Sequence, residues 1–198
     1  MIELYFLSYN TFLILEHFIN KNPPLLLKNE NDIIGYNISK LEIGDHIIIQ
    51  RRIENSNIGY YHHGIITQTY PKIRIAHAHK HKYNNNFLKT LFEDKKIKFT
   101  ETSIEDFIGN FKNKKIEKVI YNSKNDYICR SYKYQKINKE KIIQNVKILI
   151  NTKKYNLKKF NCEHFSLLTT TGKYKSTQIK SIKKWFNKYK LFIKLPNL

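Results

Sequence analysis

Cysteine is scarce in this chain of 198 residues: Cys129 and Cys162 are the only two, and no Cys-x-x-Cys pair occurs. A disulfide framework and a thiolate zinc site are thereby excluded, and a reducing compartment fits best. Arginine is nearly as scarce. Arg51, Arg52, Arg74 and Arg130 are the only four among 36 basic residues. The formal charge of +20 would suit a polyanionic partner, but the side chain best shaped for bidentate reading of phosphate or bases is mostly missing. Nucleic acid is therefore the weaker expectation, and much of the lysine, asparagine and isoleucine excess is what an AT-rich coding bias produces. Long hydrophobic runs are missing too. No stretch reaches the about 18 uninterrupted apolar residues of a membrane span. The first twenty residues carry apolar patches without a basic leader, and Glu3, Asn10, Glu16 and His17 interrupt them, which argues against a cleaved signal peptide. The expected location is cytoplasmic.

What is present suits one well-filled core, since 41% of the residues are hydrophobic and the length is short for two. Asn22-Pro23-Pro24 ends an apolar lead-in, because paired prolines cannot continue a helix. After the Gly44-Asp45 turn, strands are predicted over His46–Ile49, Tyr60–Thr67 and Ile73–His79, a small antiparallel meander. His81 to about Lys98 reads as a solvated connection. Thr102–Ile108 suits a short helix start, and Glu117–Tyr121 a further strand. From Lys139 to Ile150, apolar residues at Ile142, Ile143, Val146, Leu149 and Ile150 mark one helix face. A second helix is predicted from Asn161, burying Phe165 and Leu168. A last one, from Ser176, places Ile179, Ile182, Phe186, Tyr189 and Ile193 on one side. The class is α+β, an antiparallel sheet packed against helices. The expected divisions are a lead-in over residues 1–33, a catalytic domain over 34–181 and a basic amphipathic tail over 182–198.

A catalytic thiol needs a lowered pKa, a base within reach and a group that orients the base. Cys162 meets the first need if its helix starts at Asn161, where unpaired N–H groups and the dipole favour a thiolate and could hold an oxyanion. On spacing alone a packed core cysteine is the commoner explanation. His62 is the candidate base. It shares a strand face with Gly64 and Ile66, whereas His63, Ile65 and Thr67 take the other, so only one of the adjacent histidines can face the thiol. Gly64 beside it would leave room for a substrate or a helix end. Exposed surface histidines fit the same pattern equally well. His77, on one face with Ile73 and Ile75, is the candidate orienter. His77, His79 and His81 also recur with period two, but a zinc site there lacks an evident fourth ligand. No metal or cofactor is expected.

These residues resemble a known family. Asn161-Cys162-Glu163-His164-Phe165 is similar to the Asn-Cys-Glu-His-Phe box of the lecithin retinol acyltransferase-like proteins, which include the HRAS-like suppressor phospholipase/acyltransferases. Gly44 to Arg51 resembles that family's Gly-Asp-x-Ile strand, Tyr61-His62-His63-Gly64-Ile65 its His-x-Gly-Ile strand, and Ile75-Ala76-His77 its second histidine element. Gly172 and Ser176-Thr177-Gln178 are a weaker echo. The resemblance implies a permuted papain-like fold in which the histidine strand precedes the cysteine helix. It also implies an enzyme that moves acyl groups of lipids through a cysteine thioester, with Cys162 as nucleophile, His62 as base and His77 as orienter.

Ile66 and Gln68 depart from the family's usual Tyr and Gly, and Thr69–Lys72 enlarges the turn between the histidines. Both changes bear on acceptor and substrate choice. From Thr171 to Leu198 the chain holds eight lysines and no acidic residue, with Trp185, Phe186, Tyr189, Leu191 and Phe192 among them. That segment fits an interfacial helix on anionic lipid or a core-packing helix with a solvated lysine face. The leading expectation is a thiol acyltransferase or phospholipase A with phospholipid as substrate. Its rivals are a cysteine peptidase or amidase of the NlpC type and a non-catalytic basic module for membrane or nucleic acid.

Overall fold

The computed structural model describes residues 41–52, 59–80, 97–109, 115–124 and 130–189. The expected lead-in, the Asn22-Pro23-Pro24 break, His81, Cys129 and Ile193 lie outside them. Strands β1 (His46–Arg52), β2 (Gly59–Gln68), β3 (Arg74–Lys80), β4 (Ile97–Ser103) and β5 (Ile116–Lys118) form one sheet in the order β4-β3-β2-β1-β5. Every pairing is antiparallel. Among the described residues four helices follow the strands or join them: α1 (Ile104–Ile108), α2 (Lys139–Thr152), α3 (Cys162–Thr171) and α4 (Thr177–Tyr189). The class is α+β, as the alternation of apolar residues predicts.

β4 is a correction. Its first residues fall in the stretch read as a solvated connection and its last in the predicted helix start, yet Ile97–Ser103 pairs with β3 from end to end. Phe99 anchors it, stacking on Phe165 with ring centroids 4.6 Å apart. The alternation around Phe99 is short and sits in lysine-rich surroundings, which hides it from a periodicity reading. The helix start itself is where the run from Thr102 to Ile108 predicts it, with a cap ahead of Glu105 and Asp106. Ser103 caps α1 by accepting from the Asp106 N–H.

Both faces of the sheet are covered, so its inner strands are buried throughout rather than on alternate residues. One face carries Ile65, Ala76, Ala78 and Phe99 against Ile142, Val146 and Leu149 of α2 and Phe165 of α3. The other carries Ile47, Ile49, Ile66 and Ile75 around Phe107 of α1. Ala76 and Ala78 lie on the opposite side of β3 from Ile75 and His77, and both sides of that strand face inward.

Local chemistry sets the helix that matters most. Asn161 is extended and its side chain accepts from the N–H groups of Glu163 and His164, while the Asn161 N–H donates back to His164 Nδ1. That reciprocal cap starts α3 at Cys162. Gly172, at φ 71° in the left-handed region, ends it. Three consecutive threonines in its last turn are buried at little cost, since the hydroxyls of Thr169, Thr170 and Thr171 each donate to the carbonyl four residues back.

Candidate active site

The cap just described puts Cys162 at the first position of α3, and the packing of α3 on the sheet sets its thiol against β2. The sulfur lies 4.0 Å from the Tyr61 carbonyl and is also within hydrogen-bond reach of the backbone N–H of His63. These two groups belong to the peptides on either side of His62. Burial pushes the thiol up to about 11, against the opposing effects of the His63 and Glu163 backbone N–H groups and the Arg51 guanidinium. The lowered pKa expected from a helix start is thus corrected: desolvation outweighs the dipole at a residue only 7% exposed.

His62 points to the face that holds α1. Its Nε2 is 2.8 Å from Nδ1 of His77, and Nε2 of His77 is 2.7 Å from the Thr102 hydroxyl, which donates to the Ser103 carbonyl at 3.1 Å. Phe107 packs against both imidazoles, with centroids 5.1 and 5.2 Å away. Burial holds His62 well below its ordinary range, with the positive Arg51 adding to it, and lowers His77 to about 3 for the same two reasons. Both rings are neutral at pH 7. Each of the two nitrogens of His77 is engaged, and only Nδ1 of His62 remains for another partner.

Gly64 does not provide the space expected of it. A Cβ there would meet Ile75 Cγ2 at 2.5 Å and Phe107 Cε2 at 2.8 Å, so the missing side chain is what lets α1 press Phe107 onto the histidine pair. The β2–β3 ladder ends at Gly64 and His77. Beyond that point Gln178 of α4 takes the place of a neighbouring strand. Its Oε1 accepts from the Tyr61 N–H at 2.8 Å and its Nε2 donates to the Tyr61 carbonyl at 3.0 Å.

With this geometry in place, one comparison decides the family. The family model described as lecithin retinol acyltransferase matches residues 39–175. This chain belongs to the lecithin retinol acyltransferase family. No curated protein and no solved structure matched it. Acyl transfer or phospholipase-type cleavage in general is the activity that membership in the lecithin retinol acyltransferase family supports. No helix among the described residues is long and apolar enough to cross a membrane.

Several features of this lecithin retinol acyltransferase domain escape a reading of the sequence. Glu163 is fully buried and accepts from Tyr132 Oη, Ser176 Oγ, the Thr177 N–H and hydroxyl, and the Gln178 N–H. Burial would raise its pKa, but nearby His63 and the hydroxyl donors prevail and lower it. A carboxylate on the first N–H groups of α4 joins that helix to α3. His63 faces the opposite side of the sheet from His62. It contacts His46 at 2.8 Å and Gln178 at 3.3 Å, and burial lowers it to about 4. Ser176-Thr177-Gln178 was visible only as a faint motif. Phe107 and Tyr132 carried no local signal, because the fold alone brings them to the site.

Proposed function

We propose that this protein is a thiol-dependent acyltransferase or phospholipase A that takes acyl groups from lipid esters through a thioester on Cys162. His62 acts as general base and His77 orients it. The observation that carries this reading is the thiol lodged against both peptides flanking His62, whose Nε2 is 2.8 Å from His77.

In the productive tautomer the hydrogen bonds run one way. His62 Nε2–H donates to His77 Nδ1, and His77 Nε2–H donates to Thr102, whose hydroxyl donates to the Ser103 carbonyl. That leaves a lone pair on His62 Nδ1 for the thiol proton. The Ala78 carbonyl, 3.1 Å from His77 Nδ1, is the acceptor when the chain reverses, and reversal blocks the base. The thiolate attacks the ester carbonyl carbon, and the ester C–O bond breaks as the alcohol leaves with the proton from His62. Water, an amine or an alcohol then cleaves the thioester, with His62 taking the incoming proton. Asn161 already holds the N–H groups of Glu163 and His164, so the Cys162 N–H is the donor that α3 leaves for the oxyanion. Lipid contact runs through the lysine-rich α4 and the residues after it.

Vesicles of phosphatidylcholine and phosphatidylethanolamine test this, with free fatty acid, lysolipid, N-acyl product and intact protein mass followed together. Product that disappears in Cys162→Ala, or an acyl adduct on Cys162, is the expected result. Untouched lipid with a Cys162 that still alkylates selectively turns the reading to an amide substrate.

A further inference from the structure

The other side of the first turn of α3 borders a cleft that the thiol chemistry does not use. It encloses about 420 Å³ between Lys158 and Lys159 ahead of α3 and Lys180 and Lys183 of α4, with His164 and Tyr174 in its wall. Lysine is abundant throughout this chain, so charge alone does not single the cleft out. Three other observations do. First, two separate ordered elements converge on it. Lys158 and Lys159 belong to a tight turn closed by mutual backbone hydrogen bonds between Asn156 and Phe160, with Asn156 Oδ1 accepting from the Lys159 N–H. Lys180 and Lys183, three residues apart, share one face of α4.

Second, no carboxylate among the described residues lines the cleft. The nearest in sequence, Glu163, is buried and fully committed to Tyr132 and the start of α4. None of the four ammonium groups has an ion-pair partner among the described residues. Third, the wall is aromatic and packed: the His164 and Tyr174 rings lie 4.7 Å apart, with Phe160 stacked behind them. Burial lowers the pKa of His164 against the opposing Glu163, and Lys183 is close enough to add to the lowering. A concavity lined by one sign of charge concentrates the field inside it, and lysines serve a compact anion as point charges.

We propose that this cleft binds a phosphate ester, its oxygens held between the Lys158–Lys159 turn and the Lys180–Lys183 face of α4, with Tyr174 against the organic part. The source is a phospholipid headgroup or a free small phosphate. Assignment as a headgroup site rests on the acyl-lipid reading above, whereas phosphate binding itself does not.

Titration of the full chain carrying Cys162→Ala, followed by calorimetry at constant ionic strength, tests it apart from turnover. The probes are inorganic phosphate, and short-chain phosphatidic acid and phosphatidylcholine below their micelle concentrations. Two variants remove equal charge: K180Q/K183Q at the cleft and K141Q/K147Q on the exposed side of α2. Saturable single-site binding is expected, weakened about tenfold or more by K180Q/K183Q and unchanged by K141Q/K147Q. Tighter binding of either lipid than of inorganic phosphate assigns the headgroup; equal binding assigns a free phosphate. Binding that never saturates, or that both variants weaken alike, is diffuse electrostatics and overturns the proposal. If the vesicle assay fails while the cleft still binds phosphate, the acyl-lipid reading falls and the site stands.

Discussion

A thiol pushed up to about 11 by burial is a weak nucleophile at neutral pH until its proton has an acceptor. The consequence is a measurable pH profile. Alkylation of Cys162, read by peptide mapping, should climb steadily with pH toward about 11. A plateau below pH 8 would mean a preformed thiolate–imidazolium pair and would contradict a neutral resting site. His62→Ala should lower turnover by about a hundredfold to ten-thousandfold, the usual range for a general base. Thr102→Val is the subtler change. It removes the acceptor at the end of the tautomer-setting chain and frees His77 to reverse it. A drop of about tenfold in kcat with KM unchanged is expected, and a change in KM alone would show that Thr102 only shapes the pocket.

At the level of elements, α1 and α4 clasp β2 from its two sides. α1 reaches the histidine pair through Phe107, and the close approach depends on Gly64. Gly64→Ala should therefore cost about 1 to 3 kcal/mol as Ile75 and the Phe107 ring are pushed aside. A melt in denaturant measures that, and an unchanged midpoint would mean α1 yields freely. On the other side, Glu163 gathers the N-terminus of α4. Glu163→Gln replaces a charged acceptor by an amide that turns a donor toward other donors, and a loss of about 2 to 3 kcal/mol is expected. Gln178 depends on that docking, since the same residue that donates its N–H to Glu163 completes the ladder at Tyr61. Only the start of α3 was legible. Asn161 before Cys162 marks it, but nothing in the chain says that the residue after the thiol is spent on holding another helix.

Among the described residues five histidines are buried, and four of them, His46, His62, His63 and His77, are held neutral mainly by desolvation. Their pKa values are depressed on folding, so the unfolded chain binds more protons below the ordinary value of 6.5. Stability is fully present above that pH and is lost as pH falls through the folded values, which reach about 4 for His63 and about 3 for His77. Each histidine removes up to about 1.4 kcal/mol for each pH unit of its window. Calorimetry from pH 7 to pH 4 should show a steep fall in Tm, and His63→Gln should flatten it. A Tm independent of pH would mean that the histidines charge in place without unfolding the core.

The sequence by itself determined the local features: a capped helix beginning at the cysteine, three strands whose alternation assigns His62 and His77 each to a strand face, and the apolar face of α2. These follow from backbone periodicity and from side chains bonding their own neighbours, and both are written in short stretches of chain. Only the tertiary structure decided the rest. Two buried faces, rather than one, put His62 and His63 in separate environments. Phe107 fills the space beside Gly64, Gln178 substitutes for a strand, and burial raises the thiol despite the helix start. Desolvation and cross-sheet contact depend on residues far apart in the chain, so no local pattern can announce them.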